Sequence, residues 1–546
     1  MTASEATPLL RRIRTRTWFL AILAAGLALR VVLAYVVFPG QGFAADMRSF
    51  DDWAATLARV GPGSFYASSG ANYPPGYMYV LWLVGELGTL LGPVLGLSAS
   101  DAVVLIVRIP PILADIGIAV LLYGAGTRWF GGRAGLAAAA LYLFIPISWY
   151  DSALWGQVDA VGALLMLAAL LTLAEGWSEP AVVLAVLSVL VKPQDAICLV
   201  VVLPVLLRRH VLRVGSGPVP SLGPRLAALD ERLGGRLTDQ SPLRLGVALL
   251  LGAIVGILVI LPFDIARYAP SSLSDLPVIG QVAGLIGLFQ SVTGQYAVLT
   301  ANAFNAWALV GSDPLASIAG GSGSWTPDSL VVFAGLTALQ LGALMLAAVC
   351  LLVSGGLLLR DDRRTVVLAF AVVAFAFYAV PTRVHERYLF PFFPAAALLA
   401  APYLGRALAY CWVALLNTVN LHAVLGSPNT FGGFGAGGGG LGSGGGSAGI
   451  PGFGGGGGFG GAAGFGGGGT PGGSAGSSIS LSFTDLMRNE AIVAAVAVGQ
   501  TLGFIALLGT WIGVVFGPVV RPWLKRRRSD RARLAPTALP GDPAGR

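Results

Sequence analysis

Apolar runs long enough to cross a membrane recur along this chain, and they limit its fold more than any other feature. A helix of about 18–20 apolar residues spans the hydrocarbon core of a bilayer. Hydrophobic residues make up 55% of the 546 residues and charged residues 11%, whereas a soluble domain carries about 25% charged residues. The first run, 18–38, is too long for the core of a signal peptide. The sequence therefore predicts an all-α polytopic membrane protein.

Arginine clusters between the apolar runs predict which loops face the cytoplasm, because cytoplasmic loops are enriched in basic residues. Four arginines lie within residues 1–16. The N-terminus, the loop 208–244 and the basic tail 520–546 are therefore predicted to be cytoplasmic, and the loop 39–74 extracytoplasmic. A last transmembrane helix is expected at 491–519. These clusters account for the net charge of +8, so no nucleic-acid partner is expected.

Two stretches leave the topology open. Residues 75–101 must cross the membrane an even number of times if the arginines at 128 and 133 are cytoplasmic. Residues 264–326 are mixed, with apolar pieces that fit re-entrant segments.

Residues 427–478 are dominated by glycine, with scattered Phe, Ser and Pro. Such a segment buries too little apolar surface to offset the entropy lost on ordering. It is predicted to be a disordered insertion outside the catalytic machinery.

The external loop carries three carboxylates just after the first helix. Asp46 is the nearest to that helix, and a carboxylate held there can accept a proton from an attacking hydroxyl group as a general base. Asp51 and Asp52 are alternatives, although acidic residues also stabilise the start of a helix, and a helix is predicted near 48–60. Its apolar stripe, expected to lie on the membrane surface, consists of Phe50, Trp53 and Leu57.

A middle motif is suited to hold a sugar. Trp155, Gln157 and Asp159 alternate at a predicted helix start. An aromatic ring packs on the C–H faces of a sugar, and amide and carboxylate groups bind its hydroxyls. A tryptophan that anchors the helix at the membrane interface explains the same pattern. The other residues predicted to contact the sugar or the acceptor are Asp51, Asp52, Tyr73, Lys192, Gln194 and Glu386.

A late basic motif is suited to bind a phosphate. Arg383, His385 and Arg387 lie in a loop predicted to be external, where arginines are uncommon. The planar guanidinium group matches phosphate oxygens in a fork. Arg108 is predicted to join them, although an ion pair between Arg108 and Asp115 explains the same residues equally well. The three histidines are scattered, so no metal site and no cofactor are expected, and metal dependence is left open.

Taken in order, these motifs resemble the GT-C membrane glycosyltransferases. The resemblance rests on the Asp46 loop with Tyr73-Pro74-Pro75, on Trp155-Gly156-Gln157-Val158-Asp159, on Lys192-Pro193-Gln194 and on Val384-His385-Glu386-Arg387. It covers residues 15–405 and is greatest to the GPI mannosyltransferases and the dolichyl-phosphate-glucose-dependent glucosyltransferases. Trp155-Gly156 stands where the eukaryotic glucosyltransferases carry a histidine-phenylalanine pair, so the identity of the sugar does not carry over.

The resemblance implies a fold and a reaction. It implies a bundle of roughly 11–14 transmembrane helices within 17–425 that transfers a sugar from a polyprenyl-phosphate carrier, usually with inversion. Asp46 would be the base, and His385 and Arg387, with Arg383, would bind the donor phosphate. We expect transfer of a hexose, mannose or glucose, to an extracytoplasmic glycan or lipid acceptor in the cell membrane.

Two other classes fit part of the sequence. A transporter or lipid flippase also has many helices and a basic cavity, but it predicts internal pseudo-symmetry and charges near the midplane of the membrane. A cell-envelope scaffold would use the glycine-rich stretch as its working part and would leave the Asp46 loop without a purpose.

Overall fold

A helix satisfies its backbone hydrogen bonds within one segment, which is why long apolar segments in a membrane fold into helices. The computed structural model of this chain follows that rule, with short strands as the exception. The structure describes residues 3–214, 218, 220, 223–232, 234–236, 238–294, 296–310, 326–425, 431–433, 486–487 and 489–518.

Helices dominate the described residues. The helices up to residue 206 are α1 (Ala3–Val32), α2 (Ala44–Val60), α3 (Phe65–Ser68), α4 (Pro75–Leu95), α5 (Ala99–Ile106), α6 (Ile109–Phe130), α7 (Gly132–Phe144), α8 (Pro146–Trp149), α9 (Asp159–Ala174), α10 (Ser178–Val191) and α11 (Leu199–Leu206). The later helices are α12 (Pro224–Arg232), α13 (Pro242–Ile260), α14 (Pro277–Thr293), α15 (Ala338–Leu359), α16 (Arg363–Ala379), α17 (Phe392–Ala400), α18 (Leu404–Leu425) and α19 (Glu490–Val515).

Short elements join and extend these helices. The strands are β1 (Gln41–Phe43), β2 (Val331–Phe333), β3 (Leu336–Thr337) and β4 (Phe431–Gly433). The π-helical segments are Leu33–Val37, Tyr150–Trp155 and Leu207–Leu212, and the 3-10 turns are Pro62–Ser64, Pro193–Cys198, Ile265–Tyr268 and Ala306–Leu309.

Among the described residues, seven helical segments are long and apolar enough to cross a membrane, and a bent pair makes an eighth. The all-α polytopic fold class is therefore confirmed, but the count is lower than the 11–14 helices expected. Three further apolar helices, α9, α10 and α14, have only 10–17 residues. Proline shortens two of the apolar helices. Ile145 and Lys192, each followed by a proline, adopt extended backbone and end α7 and α10.

Helix α2 packs on protein, which corrects the expectation that its apolar stripe lies on the membrane. Phe50, Trp53 and Leu57 are buried and share one core cluster with residues of α4. The two helices approach so closely at Gly85 that an added Cβ would lie 2.1 Å from the Ala54 carbonyl oxygen. The loop that carries Asp46 is therefore braced by α4 rather than by lipid.

The segment 75–108 leaves one end of the bundle and returns to the same end. At its start, Gly76 packs against Leu190. At its close, Arg108 Nη1 donates to the Ala34 carbonyl oxygen near the end of α1. The start and the close of this segment therefore lie at one end of the bundle, as the arginines further along require.

The sheet pairing involves the glycine-rich stretch. Strand β4 pairs antiparallel with β1, with Gln41 opposite Gly433 and Phe43 opposite Phe431. The prediction of disorder for 427–478 is therefore wrong for 431–433, where main-chain hydrogen bonds to β1 order the chain. The rest of that stretch, and the tail 520–546, lie outside the described residues.

Buried ion pairs mark one end of the bundle, here named the arginine end. Arg208 and Arg209 pair with Asp361 at 3.0 and 2.6 Å, and Arg244 pairs with Glu179 at 2.6 Å. These contacts tie both borders of the loop 208–244 to the starts of α10 and α16. The positive-inside rule predicts that this end faces the cytoplasm.

A second buried network lies among α1, α6 and the chain around α8. Arg30 Nε donates to Asp115 Oδ2 at 2.7 Å, and both side chains are fully buried. Tyr142 and Ser152 also donate to the Asp115 carboxylate, each at 2.6 Å, and Arg30 donates to Ser148 at 3.0 Å. Asp115 therefore pairs with Arg30, and the alternative pairing with Arg108 is wrong.

Removing Asp115 should destabilise the fold strongly. In Asp115→Ala the guanidinium of Arg30 stays buried without its counter-charge, which costs about 3–5 kcal/mol. Arg128→Ala is the matched control, because it breaks an ion pair whose arginine is 54% exposed and should cost less than about 1 kcal/mol. Unfolding in detergent micelles measures both. Equal losses would show that the buried network contributes no more than a surface pair.

Candidate active site

The chain reaches Asp46 through a tight sequence of elements after the first membrane helix. The π-helical segment Leu33–Val37 ends α1, strand β1 follows, and Asp46 lies in the first turn of α2. The backbone N–H groups at a helix start favour a carboxylate there. Asp46 is thus fixed at the end of the bundle opposite the arginine end.

One oxygen of Asp46 is held and the other is open. Oδ2 accepts hydrogen bonds from Trp155 Nε1 at 2.8 Å and from Gln157 Nε2 at 2.5 Å. Oδ1 has no hydrogen-bond partner among the described residues. The side chain is 22% exposed. The carboxylate is therefore oriented by two N–H groups and still accessible to a molecule from outside.

Trp155 orients Asp46 and does not offer a face to a sugar, contrary to the sequence prediction. Its side chain is fully buried. The ring stacks on Phe43 with centroids 4.6 Å apart, and the guanidinium carbon of Arg387 lies 5.5 Å from the ring centroid. The buried Trp155 therefore offers only its indole N–H, which donates to Asp46.

Gly156 allows this arrangement. Its φ of +84° lies in the left-handed region that favours glycine. An added Cβ would lie 2.3 Å from Met47 Sδ, so the Met47 side chain on the first turn of α2 would have to shift. The turn at Gly156 brings Trp155 and Gln157 to the same carboxylate.

Gln157 connects Asp46 to a buried lysine. Its Oε1 accepts from Lys192 Nζ at 3.1 Å while its Nε2 donates to Asp46. Lys192 also forms an ion pair with Asp159 at 2.6 Å and lies 5.3 Å from the centroid of the Tyr73 ring. The break before Pro193 turns Lys192 out of α10 towards this cluster.

The guanidinium group of Arg387 has one edge that is hydrogen-bonded and one edge that is not. Nη1 donates to Glu386 Oε1 at 2.7 Å. On the other edge, Nη2 lies 3.8 Å from Asp46 Oδ2 and Nε lies 3.8 Å from Asp159 Oδ2, distances too long for hydrogen bonds. Nε is buried without a hydrogen-bond partner among the described residues. The Nε–Nη2 edge is the one that binds carboxylate or phosphate bidentately.

The structure thus brings together most of the residues that the sequence singled out. We name this group the Asp46 cluster; it consists of Asp46, Tyr73, Trp155, Gln157, Asp159, Lys192, Glu386 and Arg387.

Burial and charge set the protonation of the late motif. Burial acts to lower the pKa of Arg387, but Asp46 and Glu386 outweigh it and raise that pKa well above its ordinary value. Burial, with help from Arg387, lowers the pKa of His385 well below its usual range. His385 is therefore neutral at pH 7, and it packs edge-on against Tyr296 with ring centroids 4.7 Å apart. Its predicted role as a phosphate-binding cation does not fit this environment.

Two predicted phosphate ligands make their hydrogen bonds outside the Asp46 cluster. Arg383 Nε donates to Asp328 at 2.6 Å and Nη1 donates to the Thr293 carbonyl oxygen at 2.7 Å. Arg108 is buried, and its Nη1 donates to the Ala34 carbonyl oxygen. Its Nε and Nη2 are buried without a hydrogen-bond partner among the described residues. Neither arginine forms an ion pair or hydrogen bond with the Asp46 cluster in the described part of the chain.

Three further predicted contacts lie outside the cluster. Asp51 accepts from Ser100 at 2.8 Å, and Asp52 is exposed on the next position of α2. Gln194 is half-buried and makes no side-chain hydrogen bond with any described residue. The reading of Asp51 and Asp52 as residues of the helix start fits these positions better than a role in the site.

Some residues that shape the site escaped the sequence analysis. Asp328 carries no local signal that it pairs with Arg383, because the two are 55 positions apart. Asn417 donates to the Glu386 carbonyl oxygen at 3.0 Å from within α18. Gly156 did leave a signal, since a glycine directly before a helical run is typical of a left-handed turn.

The described residues contain no group of three or more His, Cys, Asp or Glu side chains placed to hold a metal ion. The three carboxylates of the Asp46 cluster instead surround the cations Lys192 and Arg387.

No protein-family model and no curated protein matches the chain. It is similar to a structure of the Archaeoglobus fulgidus oligosaccharyltransferase tethered with an acceptor peptide, at 14% identity and a TM-score of 0.39, over 75% of this chain and 51% of that chain. It is also similar to ArnT from Cupriavidus metallidurans bound to undecaprenyl phosphate, at 15% identity and a TM-score of 0.37, over 92% and 79%.

A third similar structure is archaeal oligosaccharyltransferase AglB from Archaeoglobus fulgidus in complex with an inhibitory peptide and a dolichol-phosphate. The identity is 13% and the TM-score 0.36, over 90% of this chain and 56% of that chain. The chain thus spans about half the length of the oligosaccharyltransferases. All three TM-scores lie below 0.5.

The neutral His385 should make stability depend on pH. The unfolded chain takes up a proton near pH 6.5, whereas folded His385 resists it, so folding loses free energy as the pH falls below about 6.5. The melting temperature in detergent should therefore fall less between pH 7 and 5 in His385→Gln than in the unaltered protein. Identical pH dependence of the two proteins would show that His385 is not buried in its neutral form.

Proposed function

We propose that this chain is a GT-C membrane glycosyltransferase that transfers a sugar from a polyprenyl-phosphate donor to an extracytoplasmic glycan or lipid acceptor. The observation that carries the proposal is the juxtaposition of a partly exposed carboxylate, Asp46, and the open edge of a buried guanidinium, Arg387, 3.8 Å apart. A hexose, mannose or glucose, is the proposed sugar, in line with the sequence resemblance.

Asp46 has the geometry of a general base. Trp155 and Gln157 fix its Oδ2, so its Oδ1 points to the accessible side without the loss of order that a free carboxylate would suffer. A base must lie within hydrogen-bond reach of the proton that it removes. An acceptor hydroxyl that enters from the exposed side of the loop meets Oδ1 first.

Arg387 is suited to bind the donor phosphate. Its Nε–Nη2 edge makes no hydrogen bond with a described residue. The nearest carboxylate oxygens, Oδ2 of Asp46 and Oδ2 of Asp159, each lie 3.8 Å from one nitrogen of this edge. A phosphate that contacts this edge receives two parallel N–H donors. Glu386 holds the opposite edge at 2.7 Å, so the fork is oriented before the donor arrives.

The remaining polar groups of the cluster restrain the sugar between Asp46 and Arg387. Lys192 and Asp159 form an ion pair of 2.6 Å beside Tyr73, and Tyr73 is the half-buried aromatic ring at the cluster. A ring of this kind packs on the C–H face of a sugar. Tyr73, in place of Trp155, is therefore the residue proposed to stack on the sugar.

The proposed reaction is a single displacement with inversion. The acceptor oxygen attacks the anomeric carbon and gives its proton to Asp46 Oδ1, while the bond from that carbon to the phosphate oxygen breaks. The electron pair leaves with polyprenyl phosphate, and Arg387 stabilises the charge that develops on it. A phosphate leaving group needs no proton, so one carboxylate is sufficient.

The membrane setting fits a lipid-linked donor. The Asp46 cluster lies at the end of the bundle opposite the arginine end, and the positive-inside rule assigns the arginine end to the cytoplasm. The proposed active site therefore opens to the extracytoplasmic side of the cell membrane, where the lipid tail of the donor can remain between helices.

Asp46→Asn should abolish transfer without loss of the fold. The amide keeps the shape of the side chain but cannot take up the proton, and general-base catalysis is worth about 10²–10⁴-fold. Transfer is measured with purified protein in detergent and polyprenyl-phosphate mannose or glucose as donor. Asp52→Asn is the matched control, because Asp52 is exposed six residues further along α2, and it should keep full activity.

Full activity of Asp46→Asn would remove Asp46 as the base. If neither donor supports transfer by the unaltered protein while an arabinose-linked donor does, the proposed hexose is wrong and the lipid-phosphate chemistry stands.

Two arginine-to-lysine substitutions in one loop separate donor binding from structure. Arg387→Lys keeps the charge but loses the fork, so kcat should fall on the order of 10²–10³-fold. Arg383→Lys changes the partner of Asp328, outside the cluster. It should lower the melting temperature and leave kcat nearly unchanged. The reverse order of effects on kcat would place the donor phosphate at Arg383.

A further inference from the structure

A cavity of about 550 Å³ opens between α16, α17, α18 and α19, away from the Asp46 cluster. Its deeper walls are apolar and include Leu368, Phe375, Phe392, Leu399, Val413 and Leu507. Pockets that bury small ligands have volumes of about 300–1,000 Å³. The cavity is thus large enough to take up a hydrocarbon chain from the membrane.

The mouth of this cavity is basic. Arg360, Arg364 and Arg406 line it, and Asp362 is the acidic residue among them. Asp362 is already engaged, since it accepts from Arg360 Nε at 2.5 Å and from Thr365 Oγ1 at 2.6 Å. Its charge therefore does not neutralise the other two arginines.

Arg364 and Arg406 have no carboxylate partner among the described residues. Arg364 lies over the Phe130 ring at 4.6 Å from its centroid, and Arg406 lies over the Tyr403 ring at 4.5 Å. Cation–π contacts hold the two guanidinium groups in place but leave their N–H edges available. A pair of positioned, uncompensated cations at the rim of an apolar cavity selects an anion that carries an apolar chain.

The cavity mouth and the Asp46 cluster lie at opposite ends of α16. Arg364 is in the first turn of this helix of 17 residues, and Arg387 follows its other end. At 1.5 Å per residue, the helix separates them by roughly 25 Å. The donor phosphate proposed for Arg387 therefore cannot reach this mouth, and the cavity is a separate site.

We propose that this cavity binds an anionic glycerophospholipid from the leaflet at the arginine end. The acyl chain enters between the four helices, and the phosphate of the headgroup bonds to Arg364 and Arg406. Anionic lipids of the cytoplasmic leaflet attract basic residues near its surface, and the positive-inside rule assigns this end to the cytoplasm. A free phosphate ion would contact only the two arginines, whereas a phospholipid also fills the apolar cavity.

The proposal is tested by lipid binding to the purified full-length protein, measured by native mass spectrometry. Phosphatidylglycerol and phosphatidylcholine with the same acyl chains are the probes. The unaltered protein should bind phosphatidylglycerol more tightly, and the double substitution Arg364→Gln/Arg406→Gln should weaken that binding by about tenfold or more. The double substitution Arg225→Gln/Arg232→Gln removes two exposed arginines of α12 and should leave it unchanged.

A second variant tests the apolar part of the site. Ala506 lines the cavity, and Ala506→Leu should narrow it and weaken the binding of both lipids while the melting temperature holds. Equal binding of the two lipids by the unaltered protein, or an equal loss in the α12 control, would overturn the proposal. Undecaprenyl phosphate that displaces phosphatidylglycerol at equimolar concentration would overturn the choice of a glycerophospholipid.

Discussion

The side-chain amide of Gln157 joins the two charged parts of the site. It donates to Asp46 and accepts from Lys192, so one fully buried residue fixes the distance between a carboxylate and an ammonium group. Lys192 in turn holds Asp159, which faces the open edge of Arg387. A buried charge is stable only with a partner. Each residue of this network therefore depends on the next. The loop after the first helix is ordered by residues from three later segments, which carry Gln157, Lys192 and Arg387.

The same constraint shapes the rest of the bundle. Arg30 is buried within a membrane-spanning helix because Asp115, Ser148 and the Leu143 carbonyl oxygen receive its donors. The borders of the loop 208–244 are tied down through Asp361 and Glu179. Among the described residues, many buried polar groups find such partners at the two ends and in one internal network. The carboxylate of Asp151 and one oxygen of Asp195 are exceptions, because they are buried without a hydrogen-bond partner in the described part of the chain. The apolar helix faces between the two ends are left to lipid.

Local patterns predicted much of the fold and part of the site. Apolar runs gave the fold class, and Pro193 gave the break that releases Lys192 from its helix. The residues Asp46, Gln157 and Arg387 were found because polar groups beside a membrane are uncommon. Pairings between distant segments could not be read in this way. Nothing near Arg383 indicates Asp328, and nothing near Trp155 indicates that Phe43 and Arg387 bury its ring.

The distance along the chain between Asp46 and Arg387 has a consequence for biosynthesis. Trp155 and Gln157 follow Asp46 by about 110 positions, and Arg387 comes much later. At roughly 5–20 residues per second, Arg387 leaves the ribosome on the order of tens of seconds after Asp46. During that time the nascent loop has its orienting groups but lacks the guanidinium proposed to bind the donor phosphate. The Asp46 cluster is therefore completed late in membrane insertion, so an unfinished chain holds the proposed base without the group proposed to bind its substrate.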